Sequence, residues 1–377
     1  MSAPRVASAR VGDPVSSIDT PALVIDLDAM QRNLAHMAEF ASRHRLRLRP
    51  HAKTHKSAAI AKLQIAAGAV GVCVQKVGEA EALAAGGVAD IFISNEVIDE
   101  SKLARVAALA GRMQLAIAVD SPLGVDRLAH ALKAASSMVD VFVEIDVGHG
   151  RCGVAPTAAG ALAHQVVSHG LRFAGLQAYH GRAQHLRQPA EREATVRHAV
   201  SLARAAQASV TAAGIRCPLV TGAGTGTFVF EAASGVYGEL QAGSYLFMDR
   251  DYADNEATSH APVFEHALFV KSQVMSRGTS HAVVDAGHKA HAIDSGLPRV
   301  WPRGDLEFAN GGDEHGILRP RGGSTAALPA LGDTVWLVPG HCDPTVNLHD
   351  HYVVVRGGLE GGIVDAVWPV DARGRLT

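Results

Sequence analysis

The chain has 377 residues, 47% hydrophobic and 19% charged, too many for one ordinary core and about right for a large barrel plus a second domain. A formal net charge of −2 gives no electrostatic case for nucleic acid or an anionic membrane as partner. Twenty histidines against five tyrosines is the unusual imbalance, because imidazoles serve acid–base chemistry and metals.

The opening MSAPRVASARVGDPVSS carries arginines but no apolar core, so it does not read as a secretory leader. No uninterrupted apolar run is long enough to span a bilayer. Strand-like runs then alternate with amphipathic segments: PALVID, LRLRPH, GVCVQ, DIFISN, LAIAVD, DVFVEID, FAGLQAY and CPLVTG. Such alternation predicts a parallel sheet with helical crossovers, and about eight units predict a closed TIM-type (β/α)8 barrel over residues 19–254. A doubly wound open sheet is the alternative, but no GxGxxG follows the first strand. Beyond residue 254, β-branched alternation with Gly and Pro turns predicts a mainly β domain over 255–377, with residues 1–18 packed on it. Cys73, Cys152, Cys217 and Cys342 are scattered without close pairing, and the first three lie in or beside apolar runs. That pattern suits reduced thiols and a cytoplasmic protein.

Polar residues gather at the expected C-terminal ends of the strands, where a barrel keeps its chemistry. In RLRPHAKTHK, Lys53 would stand in the barrel mouth, where lost solvation discharges an amine and lets it form a Schiff base with an aldehyde. Alone it reads first as a surface lysine in a basic turn. TGAGTGTF offers consecutive N–H groups and the Thr225 and Thr227 hydroxyls, a set that can cradle a phosphate, and Gly243 and Ser244 of ELQAGSYLF could add donors. In GHCDPTVNLHD, an extended backbone would put His341 and Asp343 on one face, an open mixed site for a divalent ion; a plain polar turn is the alternative. Amine, phosphate cradle and open metal site together suggest pyridoxal 5′-phosphate with a metal helper.

The motifs DTPALVIDLDAMQRN, RPHAKTHK, GVCVQKVGEAEALAAGG, FISNEV, VEIDVGHGRCGV, LQAYHG, GAGTGT, ELQAGSYLFMDRDY, DEHG and VPGHCDPTVNLHD resemble the D-threonine aldolase family. That family shares the alanine-racemase-like barrel, pyridoxal phosphate fold type III, with 3-hydroxy-D-aspartate aldolases and metal-dependent D-serine dehydratases. The resemblance runs from about Asp19 nearly to the C-terminus. It implies cleavage of D-threonine, D-allo-threonine or D-phenylserine types to glycine and an aldehyde. Lys53 would carry the cofactor, Arg151 would bond its phenolic oxygen, and Tyr179 and Gln75 would line it. Gln241 would stand beside the pyridine nitrogen, while Thr225, Gly226, Gly243 and Ser244 would hold the phosphate with Tyr245 close by. His341 and Asp343 would bind the metal, Mn²⁺ before Mg²⁺, Co²⁺ or Zn²⁺, and the resemblance also implies a homodimer.

His185 of GRAQH is the candidate base for the substrate hydroxyl, with hydroxide as the alternative. D-serine dehydratases place a cysteine where Asp343 stands, which ranks dehydration third. 3-Hydroxy-D-aspartate cleavage ranks second, because its extra carboxylate needs a cation such as Arg182 or Lys289. A non-catalytic pyridoxal phosphate carrier would lack the second domain.

Overall fold

The computed structural model describes residues 8–259, 261–323 and 325–377. Two sheets organise them. The first strand, β1 (Ala22–Asp26), leads into a helix, Leu27–Arg43, whose N-terminus is capped by the Asp26 carboxylate accepting from the Ala29 N–H. That helix buries Leu27, Met30, Leu34, Met37 and Ala41, the three-and-four spacing that makes one apolar stripe. The barrel strands follow: β2 (Arg47–Leu48), β3 (Val72–Val74), β4 (Asp90–Ile93), β5 (Gln114–Val119), β6 (Asp140–Glu144), β7 (Arg172–Ala178), β8 (Val220–Gly222) and β9 (Glu239–Leu240). All pair in parallel in the order β2-β9-β8-β7-β6-β5-β4-β3. A parallel bridge from His51 to Cys73 and the Cys73 N–H to the Pro50 carbonyl join the two ends, so the sheet closes on itself.

The barrel differs from the expectation in one strand. PALVID, read as its first, lies in the other sheet, where β1 pairs antiparallel with β10 (Leu268–Arg277) and parallel with β16 (His351–Arg356). Glu239–Leu240 takes the eighth barrel place instead. A two-residue ladder is too short to show as a periodic run, and an apolar strand before an amphipathic helix says nothing about which sheet receives it.

The second sheet adds β11 (Ala282–Val284), β12 (Arg299–Trp301), β13 (Leu306–Asn310), β14 (Gly316–Pro320), β15 (Thr334–Val338) and β17 (Ile363–Pro369). Its order is β13-β14-β11-β10-β1-β16-β17, with β15 pairing β10 and β12. Of the N-terminal segment expected to pack on this domain, residues 1–7 lie outside the described residues; Pro14 bridges Ile363 and Gly12 bonds the Val364 carbonyl. Among the described residues no helix is long and apolar enough to cross a membrane.

Cys73, Phe92, Ala116, Ala118 and Phe142 form a buried cluster contributed by β3–β6, with the Phe92 and Phe142 rings 4.7 Å apart. At Gly175 the pairing of β7 with β6 skips a residue, and φ is +145. A Cβ there would collide with the Leu219 carbonyl oxygen. Gly175→Ala is therefore expected to cost about 1–3 kcal/mol, read as an earlier midpoint in urea unfolding at unchanged slope.

Candidate active site

A cavity of about 230 Å³ opens at the C-terminal ends of the barrel strands. Its wall takes His51, Lys53 and Thr54 after β2, Gln75 and Ser94 after β3 and β4, and Arg151 from the loop after β6. Gln177 lies on β7 and Tyr179 just after it; Ala223, Gly224 and Thr225 follow β8, Gln241, Gly243 and Ser244 follow β9, and Tyr252 comes from beyond.

Lys53 sits not on a strand but in a single 3-10 turn, Ala52–Thr54. Its ammonium forms an ion pair with Asp343 Oδ2. Burial pulls its pKa down, but Asp343 and Tyr179 outweigh that and hold it above the ordinary lysine value. The expected discharge by desolvation is thus corrected: here the amine is charged because a carboxylate faces it. The neighbouring ionisable groups are separately satisfied. His51 Nε2 meets Gln75 Nε2 at 2.9 Å and Ser94 Oγ at 3.3 Å. His55 is buried against Gln64, and burial lowers its pKa to about 4, so the ring is neutral. Lys56 pairs with buried Glu79 at 2.6 Å.

His341 is extended, but Cys342–Val346 is a short helix, so the strand expected there is not formed. The two candidate ligands converge all the same, with His341 Nε2 4.0 Å from Asp343 Oδ1. That carboxylate oxygen is buried and has no hydrogen-bond partner. Two ligand atoms each about 2.0–2.2 Å from one ion lie at most about 4.4 Å apart, so the gap fits a shared cation. Burial would raise the Asp343 pKa, but Lys53 and His341 hold it well below the usual carboxylate range, as a metal ligand requires. Cys342 is fully buried, its N–H donating to Asp249 Oδ2 at 2.9 Å, and it stays off the ligand set. Asp249 Oδ1 also caps the Tyr252 N–H at 3.0 Å, so one buried carboxylate ties the His341–Asp343 turn to the cavity wall.

The wall suits a flat phosphorylated ring. A Cβ on Gly243 would sit 2.7 Å from the His51 carbonyl oxygen and 2.8 Å from Thr54 Oγ1, so only glycine keeps this corner open. Ala223 adopts φ +72, a left-handed conformation rare outside glycine, as the chain turns from β8 into Gly224 and Thr225. The Arg151 guanidinium lies 5.7 Å from the centre of the Tyr179 ring. Gln241 Nε2 donates to Gln177 Oε1 at 2.7 Å and to Thr221 Oγ1 at 2.8 Å, and Thr221 donates on to Glu239, fixing the amide without giving the ring a charged partner.

Three expected residues fall elsewhere. The Gly226 N–H is taken by Gln184 Oε1 at 2.9 Å, and Gly226 lines a neighbouring cavity with Phe228 and Phe264. Tyr245 is buried outside the cavity wall; its N–H donates to Thr225 Oγ1 at 2.9 Å and its hydroxyl accepts from Gln64. His185 is outside the wall, half-exposed, with Asp251 Oδ2 2.6 Å from its Nδ1 and the Tyr252 ring beside it. Ser94, Gln177, Gly224 and Tyr252 also line the wall, from runs that mark no role for them, since only closure of the barrel decides which members of a run face inward.

Behind Arg151 lies an acidic group. Burial and the neighbouring Glu96 carboxylate push Glu144 up to about 9, so it keeps its proton at neutral pH. Among the described residues, Glu96, Asp120 and Cys152 bring ligand atoms within 4.8 Å of one another; Asp120 accepts from the Gly153 N–H, and the buried Glu96 Oε1 has no hydrogen-bond partner. Glu144 binds a proton in the fold that its unfolded form releases near 4.5, so native stability is fully present below that pH and lost as pH rises towards 9. Glu144→Gln should remove this slope, at most about 1.4 kcal/mol per pH unit, seen as a flatter melting temperature between pH 5 and 9.

The chain matches the family of the alanine racemase N-terminal domain over residues 25–251 and the putative serine dehydratase domain over residues 267–355. It is 45% identical to a D-threonine aldolase of Arthrobacter sp, across 97% of this chain and 96% of that one. It is 42% identical to a 3-hydroxy-D-aspartate aldolase of Paracoccus denitrificans, across 96% and 93%. The crystal structure of a D-threonine aldolase from Filomicrobium marinum superposes with a TM-score of 0.95 at 48% identity, covering 98% of this chain and all of that one.

Proposed function

Because the chain belongs to the D-threonine aldolase family, within the alanine racemase N-terminal fold, we propose that it is a lyase cleaving D-β-hydroxy-α-amino acids to glycine and an aldehyde, dependent on pyridoxal 5′-phosphate and a divalent metal ion. One observation carries the reading: the cavity's lysine meets, on Asp343, the same carboxylate whose free oxygen faces His341. When bound, the cofactor supplies an electron sink for the carbanion left by Cα–Cβ cleavage, and the metal a Lewis acid for the β-hydroxyl.

Lys53 would hold the cofactor's aldehyde, Arg151, Tyr179 and Gln75 its ring edge and face, and Gly224, Thr225, Gly243 and Ser244 its phosphate. Gln241 offers the pyridine nitrogen an amide rather than a carboxylate, so the ring would not be held as a paired cation. His341 and Asp343 would hold the metal, with Mn²⁺ the first candidate. His185, the base expected from the sequence, stands outside the cavity wall, so hydroxide would take the hydroxyl proton. The four free cysteines support a reducing, cytoplasmic setting, and we take the active form to be a homodimer.

A panel of D-β-hydroxy amino acids, assayed with chelator and with added Mn²⁺, tests this. Glycine and aldehyde should appear only with metal present; a 2-oxo acid of unchanged carbon count and ammonia instead would reassign the protein as a dehydratase. The second reading, 3-hydroxy-D-aspartate cleavage, rests on the 42% identical relative. Of its two candidate cations, Lys289 is committed to Glu314 at 2.7 Å, which leaves Arg182 on the His185 turn. Arg182→Ala should then lower kcat/KM for the dicarboxylate substrate and spare D-threonine.

A further inference from the structure

We propose that Asp294, in the segment between β11 and β12, is the positioning residue for His341, fixing which imidazole nitrogen is presented to the metal. The inference rests on the metal reading above. Asp294 Oδ2 lies 2.7 Å from His341 Nδ1, and Ser295 Oγ lies 3.3 Å from the same nitrogen. An imidazole has two nitrogens, and a carboxylate acceptor at Nδ1 keeps the hydrogen there. The lone pair is then on Nε2, the nitrogen that stands 4.0 Å from the unpartnered Asp343 Oδ1. A ligand nitrogen must be unprotonated, so the same contact selects the tautomer and aims the ring.

The backbone holds this arrangement in place. Thr345 Oγ1 donates to the His341 carbonyl at 2.7 Å and accepts from the Ala292 N–H at 3.0 Å, stitching residues 291–296 to the metal turn. Gly340 packs so closely on the Gly296 carbonyl that a Cβ would collide with it. Arg250 Nη1 donates to the Leu297 carbonyl at 2.7 Å, anchoring the segment's far end to the barrel side of the site. Asp294 itself keeps about half its side chain exposed (52%), so its role is direction at one atom and not burial.

The test measures Mn²⁺ affinity of the cofactor-loaded protein by competition with a chelating dye. Asp294→Ala should weaken Mn²⁺ by about 10–100-fold and leave the cofactor's absorption spectrum unchanged. Asp294→Asn, which keeps an acceptor for Nδ1, should recover part of that loss. Saturating Mn²⁺ should bring kcat of Asp294→Ala back towards the parent value. If Asp294→Ala binds Mn²⁺ within twofold of the parent while His341→Ala has lost it, the inference is overturned. If His341→Ala also keeps its Mn²⁺, the metal site itself has been misassigned.

Discussion

Lys53→Ala should lower turnover by about four orders of magnitude or more, because covalent attachment of the cofactor has no substitute in this cavity. Among the described residues, Lys53 is the only lysine in the wall. Lys56, three residues on, is buried against Glu79 and held at φ +51, so it cannot swing in without breaking that pair. Reduction with borohydride followed by peptide mass analysis should place the cofactor on Lys53 in the parent and nowhere in the variant. A reduced adduct on any other lysine of active Lys53→Ala protein would contradict the assignment. The same substitution has a second, opposite effect. In the cofactor-free protein the Lys53 ammonium competes with any cation for Asp343, so its removal should tighten Mn²⁺ binding, by about tenfold if the competition is worth about 1.4 kcal/mol. Calorimetry on cofactor-free parent and variant reads this directly, and weaker binding in the variant would exclude the competition.

His341→Ala is expected to cost about 10²–10⁴ in kcat while the cofactor stays bound, since a Lewis acid on the reacting oxygen contributes several kcal/mol. The loss should equal that caused by stripping the parent with chelator, and the variant should be indifferent to chelator. That equality separates loss of the metal from loss of packing: His341 is partly exposed, and its backbone is held independently by Thr345. Full activity of cofactor-loaded His341→Ala on D-threonine would remove the metal from the mechanism.

Much of this site was legible because the residues stand where barrel strands end. Lys53 follows an apolar run long enough to read, whereas Arg151, Tyr179 and Gln241 are expected only through the family resemblance; all four line the cavity. His341 and Asp343 come together for a different reason from the one their spacing implies. The two-residue spacing implied an extended segment, whereas the turn into Cys342–Val346 brings them together. Gly226 and Tyr245 were misplaced because a glycine-rich run shows that the backbone can approach a ligand but not which N–H is already spent; Gln184, 42 positions away, decides that. Asp294 had no local signal at all. Its meaning comes from a contact 47 residues distant, and one aspartate among 37 acidic residues carries no mark of it.

The placement of β1 bears on how the chain is made. During synthesis from the N-terminus, Ala22–Asp26 emerges among the first residues, yet its partners are Leu268–Lys271 and Val353–Val355. Every barrel strand is therefore available before the strand that leads into the first helix has anything to pair with. Pairing across such separations closes long loops and is slow. Meanwhile Leu23, Val24 and Ile25, all buried in the finished protein, present an unpaired apolar edge of the kind that draws nascent chains together. The last elements to be synthesised thus complete both the sheet around β1 and the His341–Asp343 pair, so a chain truncated after the barrel would lack that pair and leave its own first strand without a partner.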